Sequence, residues 1–556
     1  QGNVAIGFQA LNAEDDGDFN TAVGHQALTA QTGTSGTVGN TAVGYNAGLA
    51  ITKGKGNTLL GHNALAVDDV GDYSTAIGDH ALYYQNSDSD NEVTGNVGVG
   101  AVAGYFNVTG QNNTYLGYQA GKGASGQSNS NNTAVGSNAL LDITTGSNNT
   151  CIGVGSGKDI SSGAENVAVG GETCGYASSN PLTGTGNIVI GYQAGRVMEA
   201  ASNSNILIGS GAGYRVTTAD ENVLIGTSAG AYITTDNPTT GIGFNALTAL
   251  TSGAGNTAVG YSALSAQNTG SRNLAIGYQS MDAAANAEDD NISIGYDALG
   301  NMNNADSDKN IAIGNYAGDG IGTIGGTHNI FMGYDSGGGT WTGADSTNNI
   351  GIGNYTLDAA MNAAQYNIGI GYAALSAVTT ADSMVAIGHN ALRSVSTGTG
   401  QIAIGYHALL DTTGAGNVAV GHNAGLSLIE GQYNTVLGYN AFDAGQEDSQ
   451  CVAIGYEALT NADVSDTGSA VGTHNVAVGY AAGDVVTTGT KNTLIGSATD
   501  PSANSGENQT VIGATTTGVA DNSVTLGNAD VTAVYMSSDS GATVHAGGAT
   551  LVAALG

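Results

Sequence analysis

Residues 40–48 read NTAVGYNAG, and close copies of this phrase run along the chain: NTAVGHQAL at 20–28, NTLLGHNAL at 57–65 and NVAVGYAAG at 475–483. The fixed point of the phrase is a glycine that follows an aliphatic residue. The phrase anchored in this way recurs 30 times between Gly7 and Gly527, and 16 of the 29 intervals equal 17 residues, most others being longer. A constant phrase with spacers of variable length describes constant structure joined by variable loops. A period of this size is the mark of a solenoid.

Reading each position against the anchor glycine sharpens the picture. The residue just before it is aliphatic in all 30 copies, and the residue three before is Val, Ile or Thr in 29, with Leu274 the exception. Two residues apart, these positions share one face of a strand, and β-branched side chains suit a pleated surface. Small residues, mostly Ala, stand two before the glycine. Ala follows three after it in 22 copies, and Leu or Gly one place later in 24. This predicts two very short strands per repeat, bent at the glycine, with one aliphatic and one small-residue face. Helix is excluded, since apolar residues never keep the i, i+3, i+4, i+7 spacing. Asn stands four before the glycine in 23 copies; it is read either as an amide ladder between stacked coils or as a turn former. One 17-residue unit cannot bury its own face, but stacked coils can. The expectation is an all-β parallel solenoid of about 30 coils over residues 1–531, with 532–556 a C-terminal cap or pre-chaperone segment. At about 4.8 Å per coil it would run roughly 140 Å.

Composition narrows the function classes. With 10 Lys and Arg against 45 Asp and Glu the net charge is −35, which excludes nucleic acid as a partner. No apolar run is long enough to span a membrane as a helix. Gln1 is not an initiator Met, and the chain reads as processed or trimmed. Cys151, Cys174 and Cys451 occupy unrelated places in their repeats and read as small buried hydrophobes. Acid collects in the spacers AEDDGD (13–18), SDSDNE (87–92), NAEDDN (286–291) and NADSDK (304–309). These are solvated loops, with Ca²⁺ as the one cofactor they could hold. The histidines are scattered and no nucleophile, phosphate-loop or zinc motif appears, so no enzyme is expected.

NVAIGFQAL (3–11), NVAVGYAAG (475–483) and NSVTLGNADV (522–531) resemble the NSVAIGxxSxA repeat of YadA-type head domains in trimeric autotransporter adhesins. The fuller phrase NTAxGYxAL is similar to repeats of bacteriophage tail-fibre proteins. The resemblance implies a left-handed parallel β-roll, a parallel homotrimer and a role in surface attachment. The period here is longer than in the adhesins, and neither their heptad stalk nor their anchor barrel is present. That favours a phage tail-fibre shaft or head on the virion over the alternative, a bacterial cell-surface adhesin or filament. Residues 524–547 also resemble the segment that precedes a self-cleaving chaperone in tail fibres. A thin core points to trimers independently, and the Ala and Gly face is expected to bury itself against the partner chains.

Tyr follows the anchor glycine 12 times, as at Tyr45, Tyr261 and Tyr439. Such a column either packs between coils or chains or offers rings to sugars. Receptor contacts are expected where monotony breaks, on long spacers held by the scaffold: Tyr83 and Tyr84 in 83–95, Tyr176 in 175–186, Trp341 in 337–349, and the loops 300–309 and 460–474. The expected partner is a host surface glycan or protein receptor, met outside the cell.

Overall fold

The computed structural model describes residues 2–33, 36–177, 179–235, 238–463 and 471–534. Residues 464–470 of one candidate loop, and the C-terminal segment from residue 535, lie outside the described residues. The chain divides into two compact units, 1–348 and 349–556, and the same repeat builds both. Among the described residues there is strand, bridge and turn but no helix, and accordingly no helix long and apolar enough to cross a membrane.

Every anchor glycine is preceded by a three-residue strand, from Val4–Ile6 to Val524–Leu526. Within each unit every strand pairs in parallel with the equivalent strand of the next coil, residue on residue. Thr133, Ala134 and Val135 thus face Thr150, Cys151 and Ile152, and Val385, Ala386 and Ile387 face Ile402, Ala403 and Ile404. Insertions leave the register intact because the spacers absorb them. The 24-residue interval before Gly479 still sets Val452 on Val476. The expected parallel β-solenoid of about 30 coils is present.

The second strand is not. After the glycine the backbone turns, since residues two and four places on take left-handed φ, as at Asn63 (57°) and Leu65 (49°). A strand cannot hold alternate residues in that region. The turn is nevertheless bonded coil to coil, Leu65 N–H donating to Ala81 O at 3.0 Å. In the spacers pairing survives only as two-residue ladders, Gly17–Asp18 on Gly36–Thr37 and Asp448–Ser449 on Val471–Gly472, and as isolated bridges such as Ile160 on Leu182.

The two strand faces are also inverted relative to expectation. In every ladder strand except the first and last, the central residue, most often small, is buried and the flanking aliphatic or Thr residues are half-buried or exposed. Ala42, Ala168 and Ala403 are fully buried, whereas Leu60, Leu116 and Ile152 are 40–49% exposed. The interior of a coil has room for one small strand residue plus the Ala and Leu of the turn. Where the strand residue grows, the turn shrinks. A Cβ on Gly121 would meet the Tyr115 ring, one on Gly337 would stand 2.7 Å from Phe331, and one on Gly230 2.7 Å from Leu224. Conversely Gly98 leaves room for Leu82 Cγ, which a Cβ there would approach to 2.8 Å. Leu or Gly after the turn is thus a volume partner for the strand residue.

The Asn column is a ladder. Asn166 N–H donates to Asn149 Oδ1 at 3.0 Å, Asn166 Nδ2 donates to the same oxygen at 3.1 Å, and Asn149 Nδ2 donates to Gly163 O at 2.9 Å. The same set recurs down the units, as at Asn310 and Asn329, with every column Asn after the terminal Asn3 buried. Where Ser74 replaces Asn, the amide of Gln85 fills in, donating to Ser74 Oγ and accepting from Asn96 Nδ2. The three cysteines are free and buried. Burial pushes the Cys174 thiol up to about 12 and that of Cys451 to about 11.

Candidate binding surfaces

The inversion of the strand gives each unit an outward stripe of three columns: the residues three before, one before and one after the glycine. In the sequence these 90 positions, three for each of 30 anchors, hold no Lys or Arg and a single acid, Asp79, although the chain has 45 acidic residues. Repeated apolar exposure on that scale exceeds the scattered apolar residues of an ordinary soluble surface.

The aromatic column stacks on itself. Tyr261 and Tyr278 are parallel at 4.9 Å, and Tyr278 and Tyr296 at 5.3 Å. In the second unit the series Tyr372, His389, Tyr406, His422, Tyr439, Tyr456 and Tyr480 keeps ring spacings of 4.8–5.5 Å. The parallel coil spacing imposes this distance on any ring in the column. Ring faces are therefore covered by neighbouring rings and edges face outward, an arrangement for packing between coils.

The four receptor candidates fall in different settings. Tyr83 and Tyr84 join Tyr105 and Phe106 of the next coil in a two-by-two block: Tyr83 stacks on Tyr105 at 5.4 Å and Tyr84 on Phe106 at 5.4 Å. The sequence signal for the two missed rings was an aromatic pair at equal distance from successive glycines. Tyr176 lies under two cations, Lys158 at 5.5 Å and Arg196 at 5.3 Å. Trp341 departs from expectation. At 3% exposure its indole packs within its own chain, against Phe331 at 6.0 Å and over Gly320 and Gly326, where any Cβ would strike it. Two glycines open the space that a loop-borne ring needs to turn inward.

A further surface escaped the sequence reading. Between Tyr192 and Phe244 the aromatic column is interrupted by Ser210 and Thr227. A groove of about 420 Å³ opens there, lined by Tyr192, Ser210, Tyr214, Arg215, Thr227 and Tyr232 among others. Arg215 lies over the Tyr232 ring at 5.2 Å; Arg196 donates to the Tyr214 hydroxyl at 3.1 Å and pairs with Glu172 at 3.0 Å. The Gln193 and Arg196 hydrogen bonds hold the Glu172 carboxyl below its ordinary range. Lys158, Arg196 and Arg215 are three of the ten cations of the chain, gathered beside exposed tyrosines. The signal available was the loss of the column aromatic in two successive coils.

The acidic spacers use their carboxylates internally. Arg272 meets Asp289 and Asp290 at 3.2 and 2.5 Å, Lys53 meets Asp90 at 2.6 Å, and Asp308 accepts from Asp289 N–H at 2.8 Å. No protein-family model matches the chain, and no curated protein matches it.

Proposed function

We propose that this chain is a non-enzymatic structural and adhesive fibre, a phage tail-fibre shaft or head that attaches the virion to its host. The observation that carries the reading is the part of the stripe three and one before the glycine, free of charge at all 60 positions and repeated coil after coil on an otherwise strongly acidic chain. Such a stripe fits burial against identical copies, and parallel in-register association of three left-handed rolls as a homotrimer closes it without leaving a further sticky face. This replaces the Ala and Gly face as the contact, since that face is consumed inside each coil. The likeness of NTAxGYxAL to tail-fibre repeats supports the placement on a virion.

Host contact is assigned to the groove around Tyr192, Tyr214 and Tyr232, with Tyr83 and Tyr84 as a second aromatic platform. Exposed rings beside Arg215 suit a sugar bearing a carboxylate or phosphate, the rings stacking on the pyranose and the guanidinium taking the anion. Sedimentation equilibrium of the intact protein is expected to give three times the chain mass; a stable monomer at micromolar concentration refutes the assembly. Glycan arrays are expected to show acidic glycans bound by the wild type and lost in Arg215→Ala. Equal binding by that variant refutes the groove as the receptor site.

A further inference from the structure

The single carboxylate in the outward stripe has company found nowhere else among the described residues. Asp79 follows the anchor Gly78 in the aromatic column, directly above His62, which follows Gly61 in the preceding coil; His80 is its neighbour in sequence. Asp79 Oδ1 lies 2.7 Å from His62 Nδ1, and Asp79 Oδ2 lies 3.0 Å from His80 Nδ1. Among the described residues this is the one group of three such side chains whose donor atoms all lie within 4.8 Å of one another. All three are half-buried to exposed, so solvent reaches them.

We propose that His62, Asp79 and His80 form a binding site for a borderline divalent transition-metal ion such as Zn²⁺, Co²⁺ or Ni²⁺. Metal–nitrogen and metal–oxygen bonds are about 2.0–2.2 Å, so adjacent ligands around such an ion stand about 3.0–3.4 Å apart, and the two histidine–carboxylate spacings are already close to that edge. Two imidazoles and one carboxylate select this class of ion over Ca²⁺ or Mg²⁺, which prefer oxygen. Three protein ligands leave positions for water or a further donor.

The surroundings hold the ligands in place. His80 N–H donates to His62 O at 2.9 Å, which fixes one coil against the other. The Asn63 amide lies 3.2 Å from His62 Nε2 and 3.0 Å from His80 Nε2. It is the Asn63 Nδ2 that stands at these distances. When Nδ1 binds the metal the ring proton sits on Nε2, and turning the Asn63 amide over brings its oxygen to both rings as the outer-shell acceptor that such histidines use. Tyr45 at 5.4 Å from the His62 ring and Tyr83 at 5.1 Å from the His80 ring wall the site on either side. The other column histidines are set differently: His25, His389 and His422 stack between aromatic rings.

The site clamps two successive coils, and its occupancy is tested on the intact, untagged protein. Equilibrium dialysis against Zn²⁺ alone, and visible absorption on Co²⁺ titration, are expected to show one equivalent per chain that His62→Tyr and Asp79→Asn lack. Affinity is expected to fall more than about tenfold in each variant. Tyr is the commonest residue in the His62 column, so the fold is retained, as melting in EDTA checks. Should that variant fail to fold, His80→Asn is the substitute, since Asn takes the equivalent place in several coils, Asn63 and Asn390 among them. Zn²⁺ is expected to raise the melting temperature of the wild type and not of the variants. Unchanged stoichiometry and affinity in the variants, or Ca²⁺ competing as well as Zn²⁺, overturns the assignment.

Discussion

Replacing the anchor glycine Gly260 by Ala tests the stacking where successive coils approach closely. Gly260 has φ +144°, and a Cβ there would lie 2.1 Å from Gly277 O, 2.6 Å from Gly277 C and 3.3 Å from Gly277 Cα. The obstacle is backbone of the next coil, so no side-chain rotation relieves it. A non-glycine residue in this region costs about 1–3 kcal/mol. Relief requires the coils to part, which disrupts Gly277 N–H to Val259 O at 2.8 Å and Gln279 N–H to Tyr261 O at 2.9 Å, each contributing about 1 kcal/mol. The Tyr261–Tyr278 stack at 4.9 Å loses about 0.5–1.5 kcal/mol with them. The expected total is about 4–6 kcal/mol.

Gly322 is the internal control, because a Cβ there meets nothing within 4 Å and its φ is not in the positive range. Gly322→Ala is expected to stay within about 0.5 kcal/mol of wild type. Urea unfolding followed by circular dichroism measures both, and hydrogen exchange locates the loosened coils, which a quasi-one-dimensional array confines to neighbours of the lesion. A Gly260→Ala protein within about 1 kcal/mol of wild type, or a Gly322→Ala protein equally destabilised, refutes the close-approach account.

Asn149→Ala removes the acceptor of the Asn166 backbone and side-chain amides and the donor to Gly163 O; a loss of about 3–5 kcal/mol is expected in the same unfolding assay. Desolvation, reinforced by Asp297, raises the Asp319 pKa to about 6, above its unfolded value of 3.8. The folded state therefore holds the proton more tightly, and stability falls as pH rises between about 4 and 6. Asp319→Asn is expected to leave stability at pH 4 unchanged and to raise it at pH 8 by about 1 kcal/mol after solvent screening, read from melting curves at the two values. Trp341→Ala is expected to cost about 3–5 kcal/mol with glycan binding of the refolded protein retained. The wild-type indole is expected to emit in the blue and resist acrylamide quenching. Cys151, Cys174 and Cys451, buried and with raised thiol pKa, are expected to react with Ellman's reagent only on unfolding.

Much of this architecture was legible because a solenoid writes each structural need once per coil. The anchor glycine, the β-branched strand and the Asn ladder are backbone requirements repeated in all or most copies, so they survive as columns. What failed were inferences about direction. Alternation along a strand gives two faces, but nothing in Thr133–Val135 alone says which points inward. Only the volume available inside a coil decides that Ala134 is buried and Val135 half-exposed. The second strand failed because Ala and Leu after the glycine carry strand-like apolarity, while the left-handed φ of Leu65 or Leu140 leaves no trace in residue type. Trp341 was read from its loop, and the glycines that admit it, Gly320 and Gly326, lie in the preceding coil. The groove and the histidine–aspartate triad are juxtapositions across coils, visible only once the register is known.

In the proposed assembly, the inverted strand lets one sequence be both acidic and associative. Acid in the spacers keeps the loops solvated and repels random contacts, while the stripe beside the glycine stays uncharged over 89 of its 90 positions. The two are separated by coil geometry rather than by domain, so every added coil lengthens both surfaces equally. Self-association through the strand columns of the stripe, as proposed, is expected to strengthen with each coil in register and weaken with each coil out of register, because a slip sets spacers of unequal length against one another. A truncation that keeps Gly353 to Gly455, with uniform short spacers, is therefore expected to associate in mixed registers. The full chain, with long spacers at irregular intervals, is expected to give one. Native mass spectrometry with pairwise cysteine cross-linking at exposed spacer positions separates the two outcomes, and a full chain cross-linked in several registers would show that the spacers do not set alignment.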